Sequence, residues 1–101
     1  MLQIVTEQSE NQTTLYLKGR MDLGGARSAS GPFMETADQA MKIVLDCSEL
    51  EYVASAGLRV LKQLHQTMKD KGGNLILKGI RPDVMDILEM TGFDAMLVIE
   101  Q

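Results

Sequence analysis

A chain of 101 residues has room for one packed domain, and its 45% hydrophobic content can fill a core that must be aliphatic, since tryptophan is absent and eight methionines serve as adaptable filler. A net charge of -4 and a pI near 4.8 argue against binding a phosphate backbone and favour a basic or uncharged partner. A lone cysteine, Cys47, excludes an internal disulfide and suits a reducing compartment.

Residues 1–7 lack the basic flank and apolar centre of a signal peptide, and no apolar run approaches the roughly 18 residues of a membrane span. A cytoplasmic location is therefore expected, with no membrane contact, and nothing demands more than a monomer.

Residues 2–6 and 13–19 read as short strands, joined through polar residues 8–12 into an antiparallel hairpin. Residues 20–31, rich in glycine and serine, read as a connection, and Pro32 suits the first position of a helix predicted over 32–41. The continuous apolar run Ile43-Val44-Leu45 predicts a central strand over 42–46, covered on both faces, with Cys47 buried beside it.

Leu58, Leu61, Leu64 and Met68 recur at spacings of three and four, which predicts a helix over 56–70 ending at Gly72-Gly73. Residues 74–78 read as a further strand. Pro82 then opens a helix that turns Val84, Ile87 and Leu88 inward and closes near Gly92, and residues 95–99 read as a last strand. The expected class is α/β: one domain over 1–101, a mixed sheet with an N-terminal hairpin, and helices mainly on one face.

Catalytic sets are not evident. His65 is the only histidine and has no cysteine or second histidine in ligand spacing, so neither a metal nor a Cys/His pair is expected. The pairs Gly24-Gly25 and Gly72-Gly73 lack the Lys-Ser/Thr ending of a phosphate loop, and Asp83, Asp86 and Glu89 read as a solvated helix stripe. If Ser55 were a nucleophile, His65 would lie about 15 Å along the same helix, too far to serve as its base. A binding protein without catalytic activity, cofactor or metal is the expectation.

The segment Val53-Ala54-Ser55-Ala56-Gly57-Leu58 lies where the predicted strand and a loop after it hand the chain to a helix, with Ser55 at or next to the N-cap. A serine there can satisfy unpaired helix amides. The same position accommodates a phosphate, because a helix start carries partial positive charge, and the small residues Ala54, Ala56 and Gly57 leave the hydroxyl open.

Leu45-Asp46-Cys47-Ser48, followed by the run from Leu50 through Ser55-Ala56-Gly57-Leu58-Arg59 to Leu61, resembles the signature of STAS-domain anti-sigma factor antagonists. Gly19-Arg20-Met21-Asp22, residues 73–77, Gly79-Ile80-Arg81-Pro82 and residues 87–93 extend the resemblance over nearly the whole chain in the same order.

The resemblance implies a STAS-like domain phosphorylated at Ser55 by a partner serine kinase that is itself the anti-sigma factor. The unphosphorylated form of such a protein captures the anti-sigma factor and frees the sigma factor, and a PP2C-type serine phosphatase acts on it in turn. Phosphorylation switches binding off, and no direct contact with nucleic acid is implied.

Asp22, Ala54, Ser55, Ala56, Gly57, Leu58 and Arg59 are the implied partner-binding residues. Asp22 matches an acidic residue near the family's phosphorylation site, and a helix or turn cap accounts for it equally. Many members carry Asp or Ser where this chain has Ala54. A phosphorylation-independent STAS scaffold, or a ligand-sensing module, is the alternative.

Overall fold

In the computed structural model, which describes residues 1–101, the chain opens with β1 (Leu2–Gln8) and β2 (Thr13–Met21), paired antiparallel. The Ser9 amide and hydroxyl both donate to the Gln12 carbonyl and close the turn. There follow α1 (Leu23–Gln39), β3 (Lys42–Val53), α2 (Ser55–Asp70), β4 (Asn74–Lys78), α3 (Pro82–Thr91), the single-turn α4 (Phe93–Met96) and β5 (Val98–Glu100). From β2 onward every pairing is parallel, and the strands lie in sequence order, β1-β2-β3-β4-β5. Right-handed crossovers that always step in one direction put α1, α2 and α3 on the same face of the sheet.

That face holds the core, where Leu15, Leu17, Ile43, Leu45, Leu75 and Leu77 from the strands join Phe33, Leu61, Leu64 and Leu88 from the helices. The expectation that β3 is covered on both faces is therefore corrected. Val44 points to the side without helices, in register between Thr14 and Ile76, and is only 6% exposed because its neighbours on the sheet shield it.

Further boundaries differ from expectation: β3 does not stop at 46 with a loop to follow but runs on to Val53, and the last strand is Val98–Glu100 rather than 95–99. Residues 20–31 are not a connection: α1 begins at Leu23, and Pro32 lies inside it rather than at its start. Its buried positions, Gly25, Ala26, Ala29, Phe33 and Ala37, do follow a helical period, but most carry little hydrophobic side chain. Pro32 removes one backbone bond at an exposed position, and its own carbonyl accepts from the Thr36 hydroxyl at 2.8 Å. Near the end, Gly92 closes α3 in the left-handed conformation (φ 78°), and Phe93–Met96 form a helical turn where a strand was expected.

Lys71, just beyond α2, donates from Nζ to the Ala37 and Ala40 carbonyls and so supplies the cation that the last turn of α1 lacks. No helix is long and apolar enough to cross a membrane.

Cys47 is buried, and burial, together with the Asp46 carboxylate beside it, pushes its thiol up to about 12. Iodoacetamide at pH 8 should leave the folded chain unmodified and alkylate Cys47 only in denaturant. Rapid labelling of the native protein would contradict this burial.

Candidate functional site

Two neighbouring strands deliver two helix starts to one edge of the sheet. Met21, the last residue of β2, is in register with Val53, the last of β3, and each strand passes through one residue, Asp22 or Ala54, into its helix. The Ala54 amide donates to the Met21 carbonyl at 2.9 Å, so a final rung of the ladder ties the starts of α1 and α2 together. The carboxyl ends of parallel strands gather open helix N-termini in this way. Gly57 permits the close fit: a β-carbon there would lie 2.7 Å from the Met21 carbonyl oxygen and 2.9 Å from Val53 Cγ1.

The two starts are finished differently. Asp22 is the N-cap of α1, and its Oδ1 accepts from the Gly25 amide at 2.9 Å. That hydrogen bond, helped by the N-terminal amino group and Arg20, holds the Asp22 carboxyl below its ordinary range. The N-cap of α2 is Ala54, with extended backbone, a carbonyl that accepts from the Leu58 amide, and no side chain able to cap. Ser55 is thus the first helical residue and not the cap, which corrects the cap reading of this serine. Its side chain is exposed and caps nothing.

Because Asp22 loses its proton more readily in the folded chain, its contribution is complete above the usual carboxylate range near pH 4 and fades as pH falls below it. Asp22→Asn keeps an acceptor for the Gly25 amide but cannot titrate. Urea midpoints of the two proteins should therefore converge between about pH 4 and pH 2, with the parent the more stable at pH 7. Parallel curves over that window would exclude Asp22 as the group responsible.

Of the other residues singled out in the sequence, Ala54 and Ala56 are half-buried beside Ser55 and Arg59 is exposed. Gly57 is buried, and Leu58, 7% exposed, belongs to the core, so these two shape the edge from beneath. Ser55 and Arg59 stand four residues apart on one helix face. His65 is half-buried more than two turns further along α2.

Two hollows flank the edge. One, of about 310 Å³, lies between α1 and α2 and is bordered by Leu23, Arg27, Ser30, Ala56, Arg59 and Val60. The other, of about 520 Å³, surrounds Asp22 with Met1, Leu2, Leu23, Gly24 and Ser28. One position before Met21 and Val53 in the two strands, Arg20 stacks over the Tyr52 ring at 4.4 Å. Sequence reasoning had not placed Leu23, Arg27 or Val60 at this edge. The available signal was a helical spacing through 25, 29, 33 and 37 that would have started α1 before Arg27.

A family model described as the STAS domain matches residues 3–101. A relative from Bordetella bronchiseptica named "Putative anti-sigma factor antagonist BtrV" is 25% identical over 93 residues, covering 91% of this chain and 80% of its own. Among solved structures, one described as "a putative anti-sigma factor antagonist" from Thermotoga maritima superposes with a TM-score of 0.90 at 18% identity, covering 97% of this chain and 86% of that one. The phosphorylated form of the Bacillus cell fate determinant SpoIIAA gives a TM-score of 0.74 at 14% identity, covering 100% and 92%. At these identities the structural likeness is one of fold. With the family model running through the sheet, its helices and the edge that carries Asp22 and Ser55, the chain belongs to the STAS domain family.

Proposed function

We propose that this chain is a cytoplasmic anti-sigma factor antagonist, a single STAS domain over 1–101 that binds an anti-sigma factor kinase and releases the sigma factor, with phosphorylation of Ser55 switching binding off. The observation that carries the reading is Ser55 itself: exposed, free of any capping role, and at the first position of a helix whose start is tied to that of its neighbour. The names of the relative from Bordetella bronchiseptica and the structure from Thermotoga maritima favour the same reading, and SpoIIAA is a fold neighbour in a phosphorylated form.

The partner kinase transfers the γ-phosphoryl group of ATP to Ser55 Oγ, the hydroxyl proton leaves and ADP is released. A PP2C-type phosphatase hydrolyses the ester again. The added charge, about -1.5 to -2, sits at the edge where Ser55, Ala56, Arg59 and Asp22 meet the partner, and its desolvation opposes docking. The chain contributes no catalytic group of its own.

Incubation with ATP and the anti-sigma kinase of the same genome, followed by mass spectrometry, tests the proposal. Trypsin should release residues 43–59 with one added phosphate, and fragmentation must distinguish Ser55 from Ser48 and Tyr52 in that peptide. Ser48, exposed with its hydroxyl donating to Asp46 at 2.7 Å, is the other serine of that peptide and the site that fragmentation has to exclude. Label on Ser55 that vanishes in Ser55→Ala is the expected result. No label, or label elsewhere, would leave a phosphorylation-independent scaffold as the function.

A further inference from the structure

A net charge of -4 hides a local reversal. The groove between α1 and α2 is bordered by two arginines, Arg27 and Arg59, and by no carboxylate, and Lys62 lies exposed one turn further on. Both guanidiniums are unpaired, because the only ion pair in the chain joins Lys18 to Glu49 elsewhere on the sheet. The one acid at the edge, Asp22, is turned to the Gly25 amide. Between the arginines the surface is apolar, with Leu23 55% exposed and Val60 half-buried. Two exposed guanidiniums without an ion-pair partner, over an apolar floor, suit a planar or tetrahedral acid held by paired hydrogen bonds, not a basic partner.

Ser55 directly precedes Ala56, which borders this groove, and lies four residues before Arg59 on the same helix face, so a phosphoryl group on its Oγ falls within reach of that guanidinium. We infer that Arg59, supported by Arg27 across the groove, receives two acids in turn: a carboxylate of the anti-sigma factor when Ser55 is free, and the phosphoryl group of Ser55 when it is modified. The inference rests on the partner-switch reading and adds its mechanism. Phosphorylation then acts twice, placing negative charge on the edge and withdrawing the arginine that recognises the partner. It also gives the partner a chemistry, an acidic segment with an apolar flank, opposite to what the overall charge suggests.

The test installs phosphoserine at position 55 during translation, so that no kinase is needed, and follows its second ionisation by phosphorus NMR. The titration midpoint should lie about half a unit below the value near 6 of a free phosphoserine. Arg59→Gln should restore it, whereas Lys69→Gln, which removes the same charge at the far end of α2, should leave it unchanged. Arg59 is exposed, and an unaltered thermal midpoint for Arg59→Gln will confirm that the variant is folded.

In the second arm, Arg59→Gln should weaken binding of the unmodified chain to the anti-sigma kinase about tenfold and shrink the further effect of phosphoserine by the same factor, as expected when two changes remove one contact. A midpoint indifferent to Arg59, or strictly additive losses, overturns the inference. Failure of the kinase to label Ser55 would overturn the proposed function instead, and the NMR result would stand apart from it.

Discussion

Gly25→Ala should destabilise the chain by about 2 kcal/mol, lowering its thermal midpoint by roughly 10 °C, whereas Gly24→Ala one residue earlier should be neutral or slightly stabilising. A methyl group normally favours a helix, by up to about 1 kcal/mol over glycine. At Gly24 nothing opposes that gain, since the new carbon meets only Asp22 Oδ1 at 3.7 Å. At Gly25 the new carbon collides with the Arg20 carbonyl oxygen and comes within 3.2 Å of Leu2 Cβ. Arg20 belongs to the β2–β3 ladder and cannot turn aside, so α1 must move as a body. Movement of α1 also pulls Gly25 N–H from Asp22 and loosens the joint start of the two helices. Urea unfolding of the two variants distinguishes these outcomes, and equal stabilities would mean that α1 does not lie as close to β2 as described.

The same glycine explains what the sequence conceals. In α2 the inward positions are Leu58, Leu61, Leu64 and Met68, large residues whose spacing declares the helix. In α1 they are mainly Gly25, Ala26, Ala29 and Ala37, because the helix approaches the sheet too closely for anything larger, and small residues give little hydrophobic signal. Glycine and serine then read as a loop, and Pro32 as a beginning. The cost of that reading was Arg27, which only a helix starting at Leu23 places across a groove from Arg59.

The apolar run of β3 misled for a different reason. Val44 is shielded by its neighbours within the sheet, so a buried residue did not imply a second layer of helices. The start of α2 was legible to within one residue, but the strand before it was expected to end at 46, because only Ile43-Val44-Leu45 form a continuous apolar run, and it reaches Val53; whether Ala54 or Ser55 is the cap depends on a backbone angle that no side chain encodes.

On the proposed function, that one-residue difference governs the second large effect, expected in binding and not in stability. Were Ser55 the cap, Ser55→Ala would cost the helix a hydrogen bond and blur any measurement on the switch. At the first helical position the hydroxyl caps nothing, so Ser55→Ala should bind the anti-sigma kinase within about twofold of the parent. Phosphorylation should weaken binding about a thousandfold, which is roughly 4 kcal/mol, about tenfold of it from withdrawing Arg59 from the partner and the rest from burying the added charge at the interface. Ser55→Asp carries about half that charge and lacks the tetrahedral oxygens, so a loss near thirtyfold is expected, or roughly 2 kcal/mol.

Neither variant should lower the thermal midpoint, because α2 has no acidic residue in its first turn and an aspartate there is favourable to the helix. Loss of binding at constant stability therefore separates an interface effect from unfolding. Titration of both variants against the kinase by calorimetry decides the matter: equal affinities would show that charge at position 55 is irrelevant to docking, and the partner surface would then have to be sought away from this edge.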